Sequence, residues 1–112
     1  MSANRRNFFR VHAALRFTFS WDTGFELFRT IDVSASGASV ARHVVDSALP
    51  ARGTVGECAF NLESMEIRCA ATVVRVSPQG FAVRFEDLPR LMEDRICGWA
   101  FRQEQKHAAN AG

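Results

Sequence analysis

The sequence predicts an all-β domain with one helix, arranged as a six-stranded antiparallel β-barrel followed by a C-terminal α-helix. Three observations lead there. Apolar and polar residues alternate through most of the stretch from Val11 to Phe85, the period of strands with one buried face. Short segments of turn-forming residues separate these stretches, which joins consecutive strands as antiparallel neighbours. After Asp87 the apolar spacing changes to that of a helix.

The first strand is expected from Val11 to Trp21, with Val11, Ala13, Leu15, Phe17, Phe19 and Trp21 on one face and His12, Ala14, Arg16, Thr18 and Ser20 on the other. Asp22-Thr23-Gly24 turns the chain into a second strand, Phe25 to Val33. Ser34-Ala35-Ser36-Gly37 leads to a third, Ala38 to Arg42, and the loop from Asp46 to Gly53 carries proline and glycine. A fourth strand runs from Thr54 to Phe60, a turn occupies Asn61 to Ser64, and a fifth strand runs from Glu66 to Val76. Ser77-Pro78-Gln79-Gly80 fits a type I turn, with proline second and glycine fourth, before the sixth strand, Phe81 to Phe85. An open sheet of such strands would leave bare edges, so a closed or nearly closed barrel is expected. Asp87 is the expected N-cap of the helix, Pro89 lies in its first turn, and Leu88, Leu91, Met92, Ile96 and Trp99 form its apolar stripe. Gly98 weakens that helix by up to about 1 kcal/mol relative to alanine. The chain divides into an N-terminal arm over 1–10, a barrel and helix over 11–106, and a disordered tail over 107–112.

At 112 residues and 47% hydrophobic content the chain supports one core. No apolar run approaches the roughly 18 residues that span a bilayer, and the amino terminus lacks the apolar stretch of a signal peptide, so a cytoplasmic protein without membrane contact is expected. Cys58, Cys69 and Cys97 are widely spaced and odd in number, and His12, His43 and His107 are scattered. Reduced thiols and no metal site follow. A nucleophile motif, a metal cluster and a phosphate loop are all missing, so the chain is not expected to be an enzyme. Glu86, Asp87, Glu93 and Asp94 alternate with Arg90 and Arg95, which reads as ion pairing along the helix.

The net charge of +2 is too small for bulk nucleic-acid binding, but it is unevenly placed. Arg5, Arg6, Arg10 and Arg16 all precede the first acidic residue, Asp22, and Lys106 is the only lysine among the 14 basic residues. The arm therefore offers planar forks that clamp phosphate, pair with guanine O6 and N7, or stack on a purine. A second feature, Asp32-Val-Ser34-Ala-Ser-Gly37, leaves the second strand. The start of one strand and the end of its antiparallel neighbour lie at the same sheet edge, so this feature faces the arm. Asp32 accepts hydrogen bonds of the kind guanine N1–H and N2–H donate. Ser34 can donate to phosphate or carbonyl oxygen, and Gly37 permits a positive φ or a close ligand.

Arg6-Asn-Phe-Phe-Arg10 followed by Asp32-Val-Ser34-Ala-Ser-Gly37 resembles the PilZ domain family, whose signature is R-x-x-x-R in an N-terminal arm and [DN]-x-S-x-x-G after the second strand. The resemblance extends over nearly the whole chain, because that family is a six-stranded barrel of this size that often ends in a helix. It implies a receptor for the bacterial second messenger cyclic di-GMP, with Arg6 and Arg10 on phosphate and guanine and with Asp32, Ser34 and the Gly37 turn holding a base. An arginine at the position of Arg5 implies a stacked dimer of the nucleotide. It implies no catalysis and no cofactor, and an output through a downstream protein partner. Phe8 and Phe9 are expected to pack the arm on the barrel rather than stack on ligand. Two alternatives remain: a PilZ-fold adaptor acting through protein contacts without nucleotide, and a small barrel that binds single-stranded nucleic acid. Against the latter, no broad basic stripe with exposed aromatics accompanies the arm.

Overall fold

A computed structural model of the chain describes residues 10–44 and 46–111, with side chains as far as Lys106. The expected first strand is interrupted. Its two pieces, β1 (Val11–His12) and β2 (Arg16–Trp21), both pair with β3 (Gly24–Val33), Val11 opposite Val33 and Arg16 opposite Arg29. The cause is the buried residue Thr30. Its hydroxyl accepts the Leu15 N–H at 2.8 Å and donates to the Ala13 carbonyl, while its own backbone N–H donates to the Leu15 carbonyl at 2.9 Å. A side chain thus takes over the ladder bonds that the break would leave unmade.

The remaining strands are β4 (Gly37–Arg42), β5 (Val55–Leu62), β6 (Met65–Ser77) and β7 (Gly80–Glu86). β3 pairs β2, β2 pairs β5, and the ladder continues through β6 and β7 to β4, which returns to β3. The result is the expected closed, six-stranded antiparallel barrel, with β1 as an extension of β2. The turn expected over Asn61 to Ser64 contracts to Glu63 and Ser64, because Leu62 and Met65 still pair across the hairpin. Glu63 takes a left-handed φ of 57° to make that tight connection.

Inward-facing aromatics fill the barrel. Phe28 meets Phe81 edge to face at 4.8 Å, and Phe60 stacks between Phe17 at 5.8 Å and Phe85 at 5.7 Å. Cys58 and Cys69 are opposite one another in the β5–β6 ladder, both buried as free thiols with sulfurs 3.8 Å apart.

The helix α1 (Arg90–Ala111) places Ile96, Trp99 and Ala100 in the same core, with Met92 and Leu88 packed beside them. Its start differs from the expectation. The Pro89 carbonyl accepts the Glu93 N–H at 2.9 Å, so Pro89 holds the N-cap position, while Asp87 adopts φ 51° in the preceding turn. Aspartate is one of the few residues that tolerate that conformation. Leu91 falls off the buried stripe and is 65% exposed; Trp99 is 5% exposed and Phe101 52%. The helix runs to Ala111. Of the expected helix pairings Arg90–Asp94 forms at 3.4 Å, whereas Glu86 pairs with strand residue Arg84 at 2.9 Å. The Thr72 hydroxyl, then Arg84, holds the Glu86 carboxyl below the usual range.

Candidate functional site

The two sequence features meet at the end of β3 that lies beside β1. His12 is opposite Asp32 on one side and Ser39 is opposite Asp32 on the other, which fixes the carboxylate between the arm's entry point and β4. The β3–β4 ladder shifts register between Thr30 and Asp32, a bulge that re-aims the residues after it. Directly before β1, Arg10 reaches across: its Nη1 donates to Asp32 Oδ1 at 2.6 Å. Arg5, Arg6, Phe8 and Phe9 lie outside the described residues.

Ser34 and Gly37 lie one step further, in the turn from β3 to β4, and their roles there are visibly structural. Ser34 is 1% exposed. Its Oγ lies 3.0 Å from Ser36 Oγ and accepts the Ser36 N–H at 3.2 Å, while its backbone N–H donates to the Gly37 carbonyl at 2.9 Å. This is a self-bonded serine turn. Gly37 is not in a positive-φ conformation; a Cβ there would lie 2.1 Å from the Val83 carbonyl oxygen. What approaches Gly37 closely is the chain's own strand β7. The Ser36 carbonyl accepts the Phe85 N–H at 2.9 Å, which clamps the turn to the same strand.

The register extends the site in a direction the sequence reading missed. Asp32 is opposite Ser39, Ser39 opposite Ala82, and Ala82 opposite Arg75, one row across four strands. Ile31, Ser39 and Arg75 line a shallow depression of about 90 Å³ along that row. Arg75 arrives there because the β6–β7 ladder slips between Val73 and Arg75. Strand alternation alone carries no trace of such a slip, so the only available signal was an arginine set in the valine run from Val73 to Val76. The combined surface presents cationic forks at both ends, a carboxylate acceptor beside one of them, and a hydroxyl between. It can hold an anion that also carries N–H donors. Among the described residues, no group of three or more His, Cys, Asp or Glu side chains is placed to hold a metal, and no helix is long and apolar enough to cross a membrane.

Comparison with known proteins agrees with this architecture. The PilZ domain family matches residues 4–102. Among solved structures, the inhibitor of motility MotI/DgrA of Bacillus subtilis superposes with a TM-score of 0.78 at 16% identity, over 91% of this chain and 52% of that one. YcgR of Escherichia coli in complex with c-di-GMP gives 0.76 at 19% identity, over 96% of this chain and 49% of that one. This chain thus spans about half the length of those two proteins. The isolated PilZ domain of YcgR with c-di-GMP gives 0.72 at 17% identity, over 96% of this chain and 97% of that one. Among curated proteins no relative matches. With the family match covering the arm, the whole barrel and most of the helix, this chain belongs to the PilZ domain family.

Proposed function

We propose that this chain is a cytoplasmic receptor domain for cyclic di-GMP that acts by binding and not by catalysis. The observation that carries the reading is the 2.6 Å Arg10–Asp32 pair, which joins the two halves of the family motif at one sheet edge. YcgR, a member with the same fold, is solved with that nucleotide. In this reading Arg6 and Arg10 grip phosphate and guanine, and Asp32 takes the guanine N1–H and N2–H. Ser34 and Gly37 serve the same site by fixing the turn against which the base rests. Ser39 and Arg75 extend the contact along the row described above. Arg5 adds capacity for a second, stacked nucleotide. The arm over 1–10 closes on the barrel with ligand and alters the surface offered to a protein partner.

Calorimetric titration with cyclic di-GMP, GTP and a short single-stranded DNA tests this. The expected result is micromolar or tighter binding of the dinucleotide alone, with an endpoint of two per chain, lost in Arg6→Ala and in Arg10→Ala. Binding of DNA in preference to the dinucleotide overturns the reading, and an endpoint of one removes the stacked pair. Unchanged amide exchange at Arg10 to His12 on saturation removes the closing arm.

One observation favours the adaptor alternative: the Ser34 hydroxyl is buried and committed to its own turn. Absence of binding heat for all three titrants is the result that reading expects.

A further inference from the structure

On the outside of the barrel, next to the row that holds Asp32, Arg16 of β2 and Arg29 of β3 are direct cross-strand partners. Both are exposed. Like charges placed opposite in an antiparallel pair, with Cβ atoms about 4.5–5.5 Å apart, repel and weaken the ladder. Other arginines of the described chain relieve their charge on a carboxylate: Arg10, Arg68, Arg84, Arg90 and Arg102 each have one within 3.5 Å. Among the described residues, Arg16 and Arg29, like Arg52, Arg75 and Arg95, have no such partner, but only these two are direct cross-strand neighbours.

The two guanidinium-bearing residues border a concavity of about 340 Å³ lined also by Ala14, Leu27, Phe28 and His43, with no carboxylate in its lining among the described residues. Its openness has a cause in the register: the residue opposite Arg29 on the β4 side is Ala41, and opposite Ala41 is Gly80, so no bulky side chain fills the space beside Arg29. The volume is at the small end of ligand sites, enough for a phosphoryl group with a few attached carbons. Two planar forks approaching from neighbouring strands suit the several oxygens of such a group, and Leu27 offers an apolar surface to its organic part.

We propose that this pocket is a second anion site, distinct from the Arg10–Asp32 site, and that it takes a phosphate monoester, borne either by a free small molecule or by a phosphorylated side chain of a partner. The inference does not rest on cyclic di-GMP binding and stands or falls separately from it. Binding removes the Arg16–Arg29 repulsion, so the ligand stabilises the barrel while it occupies the site.

The test is a titration of the full chain followed by NMR at low ionic strength, reading the Arg Nε–H and backbone amide signals. The probes are inorganic phosphate, adenosine 5′-monophosphate and a short phosphoserine peptide, each against its unphosphorylated counterpart. The expected result is saturable shifts centred on Ala14 to Arg16, Leu27 to Arg29 and His43. They persist in Arg10→Ala and weaken at least tenfold in the Arg16→Gln/Arg29→Gln double variant. Tighter binding of the peptide than of the mononucleotide identifies a partner's side chain as the source, and the reverse identifies a free metabolite. Because both arginines are exposed, the double variant should fold, and its melting temperature without ligand should equal or exceed that of the parent. Shifts that fail to saturate, that spread evenly over the basic surface, or that survive in the double variant overturn the proposal.

Discussion

The Arg10 guanidinium lies 2.6 Å from the Asp32 carboxylate, so the residue that leads into β1 is tied to the end of β3. The side chains are 57% and 18% exposed, a setting in which an ion pair contributes at most about 1 kcal/mol. Asp32→Asn should therefore lower the unfolding free energy by no more than that amount while reducing cyclic di-GMP affinity by ten-fold or more. Paired chemical denaturation and calorimetry check it. Equal losses of stability and of binding would mean that the carboxylate acts through the fold and not on the ligand.

Thr30 carries a larger load than its small side chain implies. Thr30→Val keeps the shape but strips the Leu15 N–H and the Ala13 carbonyl of their partner. Leaving buried backbone groups unpaired costs about 1–3 kcal/mol each and half-buried ones less, so the variant should lose about 1–2 kcal/mol in urea unfolding with an unchanged m-value.

Two glycines should respond to alanine in opposite directions. At Gly37 the new methyl would lie 2.1 Å from the Val83 carbonyl oxygen, backbone that cannot step aside. Overpacking of this kind costs about 1–3 kcal/mol. At Gly98, inside α1, the nearest atom to the methyl is the flexible Arg102 Nη1 at 3.4 Å, and alanine should stabilise by about 0.5–1 kcal/mol. Thermal melts of both variants decide this, and a stable Gly37→Ala would contradict the close β4–β7 contact.

The thiols should react in a fixed order. Cys58 and Cys69 are buried, and the hydrogen bond from Cys69 together with burial pushes the Cys58 thiol pKa upward, so its thiolate is suppressed. Cys97 is half-buried, and burial, then Glu93 and Asp94, raises its pKa above that of an ordinary thiol. Iodoacetamide should therefore label Cys97 first, at a rate that keeps climbing at a pH where an ordinary thiol has levelled off, while Cys58 and Cys69 label only on unfolding. Peptide mass spectrometry reads the order.

The alternation from Val11 to Phe85 was enough to read the barrel, and the motif halves were enough to place Arg10 beside Asp32. What the sequence did not disclose are the places where a single atom redirects the backbone. The break between β1 and β2 depends on where the Thr30 hydroxyl reaches, which no periodicity encodes. Arg75 enters the Asp32 row only through a slip of register in the β6–β7 ladder, and Leu91 leaves the helix stripe because the buried face follows Met92, Ile96, Trp99 and Ala100, a spacing with which it is out of phase. For Ser34 and Gly37 residue type alone allows both a ligand contact and a self-bonded turn, and only the folded surroundings show Ser34 bonded to Ser36 and Gly37 close against β7.

The β4–β7 ladder has a temporal consequence. It runs from Gly37 opposite Arg84 to Ala41 opposite Gly80, so it joins segments 47 (84 − 37) to 39 (80 − 41) residues apart in the chain. Closing so long a loop is entropically the late step of assembling such a ring. A nascent chain leaving the ribosome holds Asp32 and its arginines well before Val83 exists to receive Gly37. The turn is held against the barrel only once β7, the final strand, docks. A ligand that needs that turn selects finished molecules from unfinished ones.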